Sequence, residues 1–507
     1  MAEKTSTAKF LLIGLLVALV VLLITAAFNF KANRWGIYAD DYQTFHGRAR
    51  PNQLWLKTAY LTKEKPDIDC LLFGSSRVAA IDTRKLEGKC FNFTHPGGLL
   101  KNHLESLRYL LDAGLDLNRV YIGLDDITYH WSPEENELHL QRRSYPRNLA
   151  EWVEAQVMYL LQPIELKSLS AVFGSNTRVV QPRHITHPED DWERIRDESE
   201  ILLRQPDLQN ETFRSLRGTI ELEDYRGAQA ARHLEKILDL ARRNQIEVVV
   251  FFNPLHYKTY FERNYKRYLD FKERVAALVD FYDFTGLNSF TSANIYWKET
   301  SHYSTYVGDS IAARLVGGPE AESGYGRLVD ASNLDHLERR QRKFDMEWLP
   351  AVIKNEGVMH LPARYVANWR HNEQLLPVAL KMPPGESDDF LIKGGEYVIR
   401  REDEEKRYKP GVWTRLKRDS LFLIEYQVRA QESGRLYFNV RQDTDTYGAE
   451  WLGKLVKLKP GDNRGYIAGY VSRGRPPIRV LYDRKASHHY WQPVSLFEVT
   501  PAQTGAQ

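Results

Sequence analysis

Residues 71–86 read LLFGSSRVAAIDTRKL, an apolar run that stops at a glycine and two serines. Open α/β sheets bind ligands at the carboxyl ends of their strands, and a hydroxyl displayed on a turn there can act as a nucleophile. Serine is also a favoured turn and helix-cap residue, so the turn alone leaves both readings open. A serine nucleophile needs a base and a group that orients the base. Residues 296–308, YWKETSHYSTYVG, offer Glu299 and His302 three positions apart, just ahead of a predicted helix. One short loop can therefore deliver a carboxylate and an imidazole to the same sheet end as Ser76. Arg77 either meets an acidic ligand or forms a structural ion pair.

Such a site needs a sheet to hold it. Apolar runs at 67–74, 89–98, 117–127, 246–256 and 281–286 read as buried strands. Between and after them, 99–114, 230–245, 265–280 and 303–318 carry apolar residues at helical spacing. Strands alternating with helices predict an α/β domain over 31–318, with a mostly parallel sheet and helices on both faces. Residues from about 130 to 225 break this rhythm and predict a helical insertion over one sheet edge. Residues 319–375 read as a linker and a charged helix at 333–349. From 376 to 501, short alternating runs between Gly, Pro and Asp turns predict an antiparallel β-sandwich of jelly-roll type.

The N-terminus carries Phe10 to Phe28 without a charge, enough for a helix to cross a bilayer core of roughly 30 Å. It predicts a short cytoplasmic tail (1–9) and a transmembrane anchor (10–30), with a buried core helix as the other reading. Almost the whole chain then lies on the exported side of the membrane. Net charge is +3, and no basic block is dense enough to suggest a nucleic-acid partner. Only two cysteines occur, Cys70 and Cys90. Adjacent parallel strands can bring them within bonding range, and two free buried thiols are equally compatible with the sequence.

The order of these blocks resembles the SGNH/GDSL hydrolase superfamily over roughly 65–318: strand and Gly-Ser-Ser, a glycine loop after strand two, a loop after strand three, then acid-x-x-His. The resemblance implies a flavodoxin-like three-layer fold, Ser76 as nucleophile, His302 as general base and Glu299 as its orienting acid. It also implies that Gly97 in NFTHPGG, rather than the neighbouring Gly98, lends its N–H to an oxyanion. The third block departs from the family, because GLDD places Asp125 where an oxyanion-hole Asn would stand. A carboxylate donates no hydrogen bond unless protonated. Membrane anchor, SGNH-like domain and β-sandwich together resemble exported exopolysaccharide O-acetylation proteins of the alginate type, some of which carry a carbohydrate-binding-like module. The Gly-Ser-Ser turn is similar to that of the SGNH-like protein of teichoic-acid D-alanylation. These resemblances imply a polysaccharide substrate and a membrane-bound acyltransferase as acyl donor.

Gly308, Asp309 and Ser310 also spell GDS, but within a predicted helix and without a preceding strand. HExxH, Walker A and paired CxxC motifs are absent from the sequence, and no cofactor or metal is expected. The adjacent histidines of SHHYW (487–491) point apart on a strand and suit a surface turn or a carbohydrate-facing patch better than a metal. Trp413, Tyr437, Tyr447, Trp451, Tyr490 and Trp491 can stack on sugars, though sandwich core explains each of them as well. The expectation is a periplasmic serine esterase or O-acyltransferase acting on acyl, most simply acetyl, groups of a cell-surface polysaccharide. A catalytically weak scaffold or glycan-binding subunit of a polysaccharide export complex is the alternative.

Overall fold

The computed structural model describes residues 2–38, 45–46, 51–130, 140–164, 179–180, 188–217, 224–319, 325–333, 337–372, 374–378, 390–393, 396–399, 411–412, 419–430, 433–444, 448–471, 478–482 and 489–499. They divide into two units, one of Met1–Gly286 with Asn294–Glu338 and one of Leu287–Ala293 with Arg339–Gln507.

The first unit begins with α1 (Ala2–Ala32). An 18-residue stretch within Lys9–Ala32 has a mean hydropathy of 3.1, and this part of the helix is long and apolar enough to cross a membrane, a property that signal sequences share. Next comes α2 (Gln53–Glu64), whose first turn is capped by Asn52 accepting from the Trp55 N–H.

A six-stranded sheet forms the centre of this unit. It comprises β1 (Cys70–Phe73), β2 (Cys90–Asn92), β3 (Arg119–Leu124), β4 (Glu247–Phe252), β5 (Phe281–Asp283) and β6 (Arg327–Val329), in the spatial order β2-β1-β3-β4-β5-β6. The first five are parallel and coincide with the five apolar runs; β6 runs antiparallel to β5. The sheet is thus mixed rather than wholly parallel. Residues 319–375, expected as linker and helix, supply both β6 and a three-residue strand of the second unit, Val358–His360.

Leu71, Phe73, Val120, Ile122, Val250, Phe252 and Phe281 project into one core. Three amphipathic helices cover it: α3 (Leu100–Asp112) through Leu104, Leu107 and Leu110, α7 (Gly227–Arg243) through Leu234 and Ile237, and α9 (Tyr265–Ala276) through Phe271 and Val275. Between α3 and α7 lie α4 (Leu149–Leu160), α5 (Pro188–Leu203) and α6 (Pro206–Ser215), within the stretch expected as a helical insertion. Two further helices of this unit, α8 (Tyr257–Glu262) and α10 (Thr305–Leu315), flank the loop that carries His302.

Cys70 and Cys90 stand directly opposite each other on β1 and β2 and form a disulfide, which closes the question that two cysteines alone leave open. The bond fastens the strand before Ser76 to the strand leading into the Gly97 loop, and it suits an oxidising compartment. Replacing both cysteines by alanine is expected to cost about 3 kcal/mol in denaturant unfolding, the value for a loop of this length. A change within a few tenths would mean that the link stores nothing.

In the second unit all strand pairings are antiparallel. One sheet runs Phe390–Lys393, Glu396–Ile399, His489–Val499, Ser420–Ala430, Gly461–Val471, Val358–His360, with Leu375–Val378 also on His489–Val499. The other runs Gly411–Val412, Ile478–Tyr482, Gly434–Thr444, Gly448–Leu458. Gly461 turns the chain between two long strands with φ 98°, a value that only glycine adopts freely. The side chains of Trp413, Tyr437, Tyr447, Trp451, Tyr490 and Trp491, and those of Ser487 and His488, fall outside the described ones.

Candidate active site

At the carboxyl end of β1 the chain enters a single 3-10 turn, Ser76–Ala80. Ser75 holds that turn from both sides. Its Oγ accepts from the Arg77 N–H at 3.3 Å and donates to Asp125 Oδ2 at 2.6 Å. Its backbone also bridges to His95 of the loop after β2. Ser76 is left with its hydroxyl facing a cleft of about 460 Å³. The two adjacent serines thus do different work, one buried in the scaffold and one at the surface of the cleft.

The partner loop is a tight hairpin. Trp297 pairs with Tyr303, the Lys298 N–H donates to the His302 carbonyl at 3.0 Å, and the buried Trp297 ring anchors the base. Outside it, Tyr303 Oη donates to Asn253 at the end of β4 at 3.0 Å, and Thr259 of α8 donates to the Thr300 carbonyl at 2.6 Å. So held, His302 Nε2 lies 2.9 Å from Ser76 Oγ, and His302 Nδ1 lies 2.5 Å from Glu299 Oε1. Glu299 also accepts the Ser301 and His302 N–H groups at 2.9 and 2.8 Å. Burial pushes the Glu299 carboxyl up, but the bonds from the His302 ring and these two amides outweigh it and hold it below the usual glutamate range. The structure therefore brings Ser76, His302 and Glu299 together in one relay.

Asp125 and Gly97 are placed differently. Asp125 is buried and caps the next turn, accepting from the Ile127 N–H at 3.1 Å as well as from Ser75. Burial raises its pKa. Its side chain thus holds the Ser75–Ser76 turn instead of reaching into the cleft as a hydrogen-bond donor. Gly97 adopts φ 62°, and its carbonyl accepts from Arg142 at 3.3 Å. Neither its N–H nor that of Ser76 donates to an acceptor among the described residues. A Cβ on Gly98 would stand 2.3 Å from the Gly74 carbonyl oxygen, so this glycine lets the second loop approach the Ser75–Ser76 turn.

Of three further features of the cleft, the ion pair of Arg77 is one of the two readings its sequence position offered, and the other two carry no sequence signal. Arg77 is buried and forms an ion pair with Asp126, and its Nη2 lies 3.4 Å from Ser301 Oγ, joining the serine turn, the third loop and the histidine loop. Burial opposes its charge, but Asp126 and Asp125 more than compensate and keep it protonated. His95 also lines the cleft. Its ring and that of His103 are fully buried without a hydrogen-bond partner among the described residues. Burial keeps both neutral, with His103 brought down to about 3. The remaining wall is α5, through Arg194, Ile195, Glu198 and Ser199, and Glu198 is paired with Lys298 of the histidine hairpin at 2.7 Å. Neighbouring Asp126 in GLDD was the available signal for the Arg77 partner; nothing local marks α5 as a wall.

The GDS at 308–310 lies inside α10, as its context implied. Gly308 has a packing role there, since a Cβ would stand 2.1 Å from the Ala80 carbonyl oxygen at the end of the Ser76–Ala80 turn. Gly308→Ala is expected to cost about 1–3 kcal/mol by overpacking. It should also slow any Ser76-dependent turnover, because α10 follows His302 by three residues. Thermal unfolding and ester turnover measured on the same sample check both effects.

No family model matches the chain, and no curated protein matches it. Among solved structures, the chain is similar to one described as "CBM4 structure and function" at 12% identity and TM-score 0.19, covering 24% of this chain and 79% of that one. A CBM22-1 xylan-binding domain from Paenibacillus barcinonensis Xyn10C matches at 9% identity and TM-score 0.18, covering 25% and 96%. The second N-terminal cellulose-binding domain of Cellulomonas fimi beta-1,4-glucanase C matches at 9% identity and TM-score 0.19, covering 25% and 97%. Scores of this size carry no argument about fold or ligand.

Proposed function

We propose that this protein is an SGNH-type serine esterase or O-acyltransferase that works on acyl groups, most simply acetyl, of a cell-surface polysaccharide. What supports the reading is one observation, the Ser76–His302–Glu299 relay opening onto a cleft. In this mechanism Ser76 Oγ attacks the acyl carbonyl as its proton passes to His302 Nε2. Glu299 stabilises the imidazolium and fixes which ring nitrogen faces the serine. The oxyanion is met by the Ser76 and Gly97 N–H groups, without help from Asp125. Collapse expels the leaving oxygen, which takes the proton from His302, and leaves an acyl-serine. Water or a sugar hydroxyl, deprotonated by the same imidazole, then resolves it.

In the same proposal α1 anchors the chain in the inner membrane, with the rest exported to the periplasm. A membrane-bound acyltransferase passes acyl groups to Ser76. A second reading, a catalytically weak scaffold or glycan-binding subunit, draws on Asp125: its carboxylate is occupied with Ser75 and Ile127, and losing one oxyanion donor typically costs about 10²–10³ in rate.

Incubating the detergent-solubilised full chain with p-nitrophenyl acetate separates the two readings. The enzyme reading expects a burst and an acetyl adduct on Ser76 by mass spectrometry. Equal behaviour of wild type and Ser76→Ala would leave only the scaffold. Adding oligosaccharide acceptors to the acetylated protein then tells transfer from hydrolysis.

A further inference from the structure

α4 has two apolar sides, and the described residues cover only one of them. Its inner side, Ala155 and Tyr159, is buried in a cluster with Trp35, Trp55 and Leu140. Its outer side carries Leu149, Trp152, Val153 and Val157 at 75%, 48%, 47% and 51% exposure, continued by Leu161 at 40%. These residues recur at helical spacing and form one stripe. The end of this stripe is fastened to α1, because Asn29 Nδ2 donates to the Leu160 and Gln162 carbonyls at 2.8 Å each. Phe30, 58% exposed, stands beside that attachment.

The length of α1 gives this stripe an occupant. Its large apolar side chains are exposed from Phe10 to Ile24, whereas Phe28 and Asn29 are already buried against the rest of the unit. At 1.5 Å per residue the bare part spans about 22 Å, against a hydrocarbon core of roughly 30 Å. The missing thickness is about the 5–10 Å to which interfacial amphipathic helices sink. From these observations we infer that the outer face of α4 lies in the lipid headgroup–acyl boundary, as a second membrane contact beside α1. The occupant is the bilayer itself. The inference rests on α1 being the membrane anchor, not on the chemistry of the cleft.

Both native cysteines are disulfide-bonded, so single spin labels can be placed in the full chain reconstituted in phosphatidylethanolamine–phosphatidylglycerol vesicles. The labels sit at Val153→Cys, Val157→Cys, Glu154→Cys and, within α1, Val20→Cys. At 153 and 157, accessibility to oxygen is expected to exceed that to a water-soluble nickel complex several-fold, while 154, whose side chain is 63% exposed beside Arg143, shows the reverse. Nickel access at 153 and 157 matching that at 154 overturns the inference, and so does protection from both reagents, which would mean a covering protein. Label 20 separates the failures. Lipid exposure at 20 with wet 153 and 157 sinks only the α4 contact. Water access at 20 sinks the anchor and, with it, the inference that rests on it.

Discussion

Ser76→Ala is expected to lower turnover of an activated acetyl ester by at least about 10³-fold, with no acetyl adduct formed. His302→Ala should fall as far, since an unactivated serine hydroxyl is a poor nucleophile near neutral pH. The double variant should be no worse than either single one, because the two groups act as a unit. Glu299→Gln should cost less than either. With its carbonyl oxygen in the Oε1 place, the glutamine still accepts from the His302 N–H, while the Ser301 N–H that donates to Oε2 loses its acceptor. The variant also loses the negative charge beside the imidazolium. Steady-state kinetics with p-nitrophenyl acetate on the four variants check the ranking. Four equal, wild-type-like rates would show that the relay performs no chemistry.

Asp283→Asn is expected to destabilise the first unit by about 3–5 kcal/mol, the cost of breaking a buried ion pair from one side. Asp283 ends β5 with no exposure, and its Oδ2 accepts from Lys272 Nζ at 2.7 Å and from Arg327 Nη2 at 2.5 Å. It therefore joins α9, β5 and β6, and the short antiparallel edge strand depends on it. Thr285 adds two bonds to Oδ1, from its N–H at 3.1 Å and its hydroxyl at 2.6 Å. Burial alone would push the Asp283 carboxyl up, but Arg327 and Lys272 more than offset this and hold it below the usual aspartate range.

The sign of the pH dependence follows. A depressed folded pKa contributes stability in full above the unfolded value of about 3.9, and that contribution is lost as pH falls through the lower folded value. The gap between wild type and Asp283→Asn should thus be widest near neutrality and narrow below about pH 4. Hydrogen exchange at β4 and β5 amides, which reports the opening free energy locally, measures the gap at each pH. A gap under about 1 kcal/mol at pH 7 would contradict a buried pair of this kind.

The legible features were those whose signal is local. The five parallel strands each announce themselves as an unbroken apolar run because both sheet faces are covered. Ser76 stands out from turn chemistry at a strand end, and Glu299 with His302 from their spacing within one hairpin. Less visible was β6, since Arg327–Val329 is too short to show a period and its partner strand lies more than forty residues earlier. The same holds for α5, which reads as an ordinary charged helix and becomes a wall of the cleft only where it packs.

By itself the amino-acid order determined the apolar N-terminal helix, the succession of strands and helices, the antiparallel texture of the last part of the chain, and which side chains were chemically fit to be nucleophile, base and acid. Tertiary structure alone decided that Cys70 faces Cys90 in register, that Arg77 spends its charge on Asp126, that Asp125 holds Ser75, and that His302 stands 2.9 Å from Ser76 across 226 positions. The physical reason is the range of the forces involved. Periodicity, capping and turn preference act among neighbours in the chain, whereas register, ion pairing and the distance between two loops are set by how the sheet and its helices close-pack.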